Sequence, residues 1–115
     1  MSRTPTLTKK RGAEAPRKLI CFQVISSAGG AKSNYISAIQ AAKEGRFDEA
    51  REMIKNGDDM MVVAHEPHKK LLMWEAQGRT DIVCVLLIHA EDQMMSCEVF
   101  KQLAVELIDL YENKF

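Results

Sequence analysis

One histidine, His89, closes a run of seven apolar residues at positions 82–88, and a carboxylate, Asp92, follows three residues later. The surrounding stretch holds no glycine or proline, so it reads as helix. On a helix His89, Asp92 and Gln93 share one face, because residues three and four apart are neighbours. A neutral imidazole is a competent nucleophile and metal ligand near pH 7. Three readings of His89 follow: a core histidine bonded to a neighbour, a phosphoryl acceptor, or a metal ligand. Asp92 weighs against the first. A carboxylate on an apolar seam is costly unless it is paired, metal-bound or protonated. In a symmetric trimer three copies of Asp92 would meet near the axis, and their repulsion would demand a cation or raised pKa values.

Other candidate groups carry less. His65-Glu66-Pro67-His68 lacks the His-Glu-x-x-His spacing of a zinc site, since its histidines are three apart with a proline between them. His68 falls on an apolar stripe as a core or supporting group, and His65 at its edge. Gly29-Gly30-Ala31-Lys32-Ser33 resembles the end of a phosphate-binding loop, but the upstream glycine and preceding strand are missing. The chain therefore shows no means of binding nucleotide phosphates, and the glycines read as sites of close helix approach. Cys21, Cys84 and Cys97 form no CxxC or Cys/His zinc spacing and read as reduced core residues. Most methionines read as core filler. Trp74 suits either an exposed docking role or a contact capping the third helix.

The elements that must position His89 are helices. The 115 residues suffice for one small domain, and few prolines, glycines and aromatics favour helix over a sandwich or barrel. Residues 1–18 carry six basic groups and one acid, and the remainder ten basic groups and fifteen acids. The acidic body argues against a nucleic-acid binder. Residues 1–17 lack periodic apolar positions and read as a disordered basic tail ahead of a domain at 18–115. With no signal peptide and no apolar stretch long enough to span a bilayer, the expectation is a cytoplasmic protein without membrane insertion.

A first apolar stripe runs Cys21, Val24, Ile25, Ala28, Ala31, Tyr35, Ala38, Ile39, Ala42 and should end at Gly45. Gly29-Gly30 predicts a kink or break within it. A second stripe runs Phe47, Ala50, Ile54, Gly57, Met61, Ala64, His68, Leu71, with a kink expected one turn before Pro67. Residues 79–81 read as loop and cap. A third helix is expected over residues 82–113, with Ile82, Val85, His89, Asp92, Ser96, Phe100, Leu103, Leu107 and Leu110 on one seam. Its first turns are apolar all round and need cover on every side. The expected fold is all-α: three long antiparallel helices, up-down-up, with helix 1 kinked, assembled into an oligomer with helix 3 central.

Three stretches carry a family resemblance. They are Ser27-Ala28-Gly29-Gly30-Ala31-Lys32-Ser33, then Ala41 to Ala50 with Ala64-His65 following, and Leu87-Ile88-His89-Ala90-Glu91-Asp92-Gln93-Met94-Met95. Over residues 19–113 the chain resembles the enzyme IIA component of the lactose/cellobiose (chitobiose) branch of the phosphoenolpyruvate-dependent sugar phosphotransferase system. The resemblance implies a homotrimeric helical bundle and a phosphotransferase component in bacterial sugar uptake. His89 would accept phosphate from HPr and pass it to a cysteine of the enzyme IIB component. Asp92 would lie at the trimer centre and hold a divalent cation such as Mg2+. Here Glu91 stands for the family's glutamine, Gln93 for a second histidine and Gly30 for a polar residue, and Pro67 is unusual. Glu91 places a negative charge two residues from the ring, an effect that falls if it points to solvent.

Two further readings compete. One is a helical regulatory or interaction module without phosphotransfer; residues 42–50 would suit a tetratricopeptide-like hairpin, but only one such unit is present. The other is a histidine phosphotransfer domain centred on His65, whose expected lysine and glycine are not in place.

Overall fold

The computed structural model describes the backbone of residues 3–79 and 83–114, and side chains from Pro16 onward. Among the described residues there are three helices and no strand: α1 (Arg3–Lys43), α2 (Phe47–Ala76) and α3 (Val85–Lys114). The all-α, up-down-up arrangement matches the expectation. Residues 80–82, which hold part of the expected cap and helix start, lie outside the described residues.

Local chemistry sets the helix ends. Gly45 adopts φ +78° and Gly78 φ +82°, conformations that L side chains resist. At the first, Gly45 N–H bonds Ala42 O at 3.0 Å and Arg46 N–H bonds Ala41 O at 2.9 Å. At the second, Gly78 N–H bonds Glu75 O at 2.9 Å and Arg79 N–H bonds Trp74 O at 3.1 Å. Both are Schellman closures, which satisfy carbonyls left over at a helix end. Arg79 also stacks over the Trp74 ring at 4.9 Å, and Trp74 packs against the core. Trp74 thus closes its own helix end.

α1 extends beyond the residues its apolar stripe marks. Its backbone is helical from Arg3, within the segment whose composition reads as disordered, and it continues past Pro16. Proline removes the bond to the carbonyl four residues back and crowds that carbonyl, while Ala13, Glu14, Ala15, Arg17 and Lys18 include strong helix formers that favour continuation. The helix also runs unbroken through Gly29-Gly30. With 41 residues α1 spans about 61 Å, which accounts for most of the 71 Å long axis. α2 likewise continues through Pro67.

α1 is the spine, packing extensively on both α2 and α3, while those two touch each other sparsely. Its buried face holds Cys21, Val24, Ala28, Ala31, Tyr35 and Ala38, and α2 contributes Ala50, Gly57, Met61, Ala64 and Leu71. These are the two stripes read from spacing. The third stripe is a correction. α3 buries Ala90, Met94, Cys97, Ala104 and Ile108, whereas Val85, Leu103 and Leu110 on the expected seam are exposed. Apolar residues all round the first turns leave periodicity unable to choose a face. Close approach to α1 chose the small residues.

Glycine marks two tight α1–α2 contacts. A Cβ on Gly57 would stand 2.5 Å from the Tyr35 ring, and one on Gly30 would collide with the Met60 side chain. Tyr35 is fully buried and its hydroxyl donates to Asp58 Oδ1 at 2.7 Å, so its ring is pinned. Gly29 faces open space. Opposite effects should follow. Gly29→Ala should stabilise by about 0.5–1 kcal/mol through unfolded-chain entropy. Gly57→Ala should lose about 1–3 kcal/mol to overpacking, outweighing its gain in helix propensity. Urea unfolding checks both, and a shared sign would contradict this packing.

Candidate functional site

His89 stands in the second turn of α3. Its neighbour Ala90 is fully buried against α1, which places His89 on a flank of the helix. The residue is exposed, and no hydrogen-bond partner for its ring exists among the described residues. A core histidine is therefore excluded for the described chain. Gln93, one turn on, is half-buried on the same flank.

Asp92 is exposed too, and it lies directly opposite the buried face of α3. Its neighbours along this outer face are apolar: Val85 is 83% exposed, Ile88 61%, Met95 66% and Val99 55%. The spacing of 85, 88, 92, 95 and 99 alternates three and four, the period of an interhelical seam. Asp92 is the charged member of that stretch. Its one described side-chain contact comes from the Ser96 hydroxyl, at 3.4 Å. Among the described residues no three metal-capable side chains cluster. At this point the chain itself offers a single hard oxygen donor.

Glu91 answers the question its sequence position raised. Residues two apart on a helix point roughly 200° apart, so Glu91 leaves α3 on the flank away from His89. There its Oε1 lies 2.8 Å from His68 Nε2 on α2. The carboxylate can only accept, so the ring N–H donates. Both groups are partly shielded, with side chains 17% exposed for His68 and 34% for Glu91. Spacing suggested a supporting role for His68, but this cross-helix partner had no local signal. The carboxylate is thus engaged by α2 rather than left in solvent.

His65 is separate from this region. It is exposed and lines a groove of about 420 Å3 between α2 and α3, beside Tyr35, Asp58 and Lys101. Lys101 Nζ stands 3.0 Å from the Asp58 oxygen that also accepts from Tyr35. Burial, and then the bond to Asp58, push the Tyr35 hydroxyl well above the usual phenol range, so it remains a neutral donor. Lys32 lies over the Phe100 ring at 5.2 Å, about three turns along α3 from His89. Close helix approach at Gly30 agrees with the packing reading of Gly29-Gly30-Ala31-Lys32-Ser33.

All three cysteines are free, with Cys21 and Cys97 fully buried. Burial pushes both thiols up, so they stay protonated and inert at neutral pH. Among the described residues no helix is long and apolar enough to cross a membrane.

Residues 19–112 match the family model described as the PTS system, lactose/cellobiose specific IIA subunit. The chain is 37% identical over 95 residues to the lactose-specific EIIA component of Streptococcus mutans, covering 83% of this chain and 91% of that protein. It is also 37% identical over 95 residues to the oligo-beta-mannoside-specific EIIA component of Bacillus subtilis, covering 83% and 86%. Its fold is similar to the crystal structure of the PTS cellobiose specific enzyme IIA from Bacillus anthracis. That match has a TM-score of 0.79 and 38% identity, over 84% of this chain and 88% of that one. With an all-α up-down-up fold and a family match over nearly the whole helical core, the chain belongs to the lactose/cellobiose-specific IIA family, the phosphotransfer components of bacterial sugar uptake.

Proposed function

We propose that the chain is a cytoplasmic phosphoryl carrier that accepts phosphate from phospho-HPr on His89 and passes it to a cysteine of an enzyme IIB component. The sugar served is a β-linked disaccharide of the lactose, cellobiose or chitobiose type. The observation that carries this reading is the setting of His89: an exposed ring with no described partner, on a helix flank beside a long apolar surface.

The chemistry needs no nucleotide. A ring nitrogen of neutral His89 attacks the phosphorus of the donor's phosphohistidine. The new N–P bond forms as the donor's N–P bond breaks, and the electron pair returns to the donor ring. The thiolate of the IIB cysteine then attacks the same phosphorus, and His89 leaves with its electron pair. Such transfers depend mainly on positioning and charge stabilisation. Apolar side chains around His89 suit docking of a folded partner and exclusion of water from the labile bond.

The acting unit in this proposal is a homotrimer with α3 innermost. Val85, Ile88, Met95 and Val99 form an apolar stripe too continuous for an isolated surface helix. Three such stripes around an axis would bury one another and bring three copies of Asp92 together. Those carboxylates would hold a divalent cation, which when bound offsets their mutual repulsion. α1 bends at Gly29-Gly30 within this assembly, a bend favoured by two adjacent residues of low helix propensity.

Incubation with phosphoenolpyruvate, enzyme I and HPr should phosphorylate the wild type, and His89→Ala should take no label while remaining folded. An unlabelled wild type would sink the carrier reading in favour of a regulatory relative. In sedimentation experiments the wild type should run as a trimer. Met95→Glu and Val99→Glu should shift it towards monomer, and an unchanged mass in both would contradict the α3 interface.

A further inference from the structure

We infer that His68 is a positioning residue for transfer at His89, acting through Glu91. This rests on the carrier reading. Glu91 leaves α3 only two residues from His89, and its carboxylate is drawn onto α2 by His68 at 2.8 Å. The pair is partly buried, so water and salt screen it less than an ordinary surface pair. A phosphoryl group on His89 brings close to two negative charges to the same turns of α3, and the donor brings the same charge during approach. A free carboxylate within about 10 Å would oppose both. His68 holds that carboxylate on the α2 side, away from the flank that carries His89. The link is also mechanical. α2 and α3 touch sparsely, and this bridge sits nearest the α3 turns that carry His89.

Loss of His68 leaves the Glu91 carboxylate untethered, whereas removing the carboxylate as well removes the difficulty. That logic separates an electrostatic positioning role from mere structural support. The experiment measures phosphoryl acceptance from phospho-HPr for wild type, His68→Ala, His68→Gln, Glu91→Gln and the double variant His68→Ala/Glu91→Gln, each checked for helix content and mass. His68→Ala should lower kcat/KM roughly three- to tenfold, and the gap should narrow as salt is raised. His68→Gln, whose amide can still donate, should retain most of the rate. Glu91→Gln and the double variant should match the wild type. If His68→Ala does not fold, His68→Asn, whose amide is too short to bridge the gap, takes its place. Unchanged transfer in His68→Ala, or a double variant as slow as the single, would overturn the inference while leaving the carrier reading intact. A wild type that takes no phosphate would overturn the carrier reading and this inference with it.

Discussion

The rest of the structure depends on how closely α3 lies against α1. Contact is made through small side chains, with Ala90, Cys97 and Ala104 meeting the alanine-rich face of α1. Nine of the eighteen buried hydrophobic residues among those described are alanines, so the subunit core is narrow. Narrow contact has two consequences. It fixes the rotation of α3, because shifting any of these positions outward would put a bulky residue in its place. It also leaves larger apolar side chains, such as Ile88, Met95 and Val99, on the outside. Apolar burial scales with area, at about 25 cal/mol per Å2. The outer face of α3 therefore keeps apolar area that the packing within this chain leaves unburied.

The α2–α3 seam obeys a different logic. Polar bridges that cross it include Arg51 to Glu112 at 2.9 Å, Lys101 to Asp58 at 3.0 Å, and His68 to Glu91 at 2.8 Å. Their order along the chain confirms that the helices run antiparallel. Exposed pairs of this kind contribute about 0–1 kcal/mol each, so they set register more than stability. Of the three, His68–Glu91 is the least exposed and the one beside the His89 turns. The same helix thus presents an open imidazole on one flank and an engaged carboxylate on the other. Its outward face between them carries Asp92.

Much of this was legible in the residues. Steps of three and four placed the buried faces of α1 and α2, because each has a polar side to contrast with its apolar one. Gly45 announced its cap because a helix end needs a residue tolerant of positive φ. His89 and Asp92 stood out as polar groups in apolar surroundings. The buried face of α3 was not legible: residues 82–88 are apolar in every direction, and close packing with α1, a tertiary effect, made the choice. Nor could spacing reveal the partners of Glu91 or Asp58, since His68 and Tyr35 lie 23 residues away in each case.

The most direct test of the central claim is to locate the phosphoryl group on the phosphorylated protein. Nitrogen-15 and phosphorus-31 NMR at alkaline pH, where phosphohistidine survives, would assign the N–P bond to one of three rings. The expected result is a single phosphorylated imidazole, that of His89, with His65 and His68 unmodified. A phosphoryl group on either of those rings instead would contradict the account.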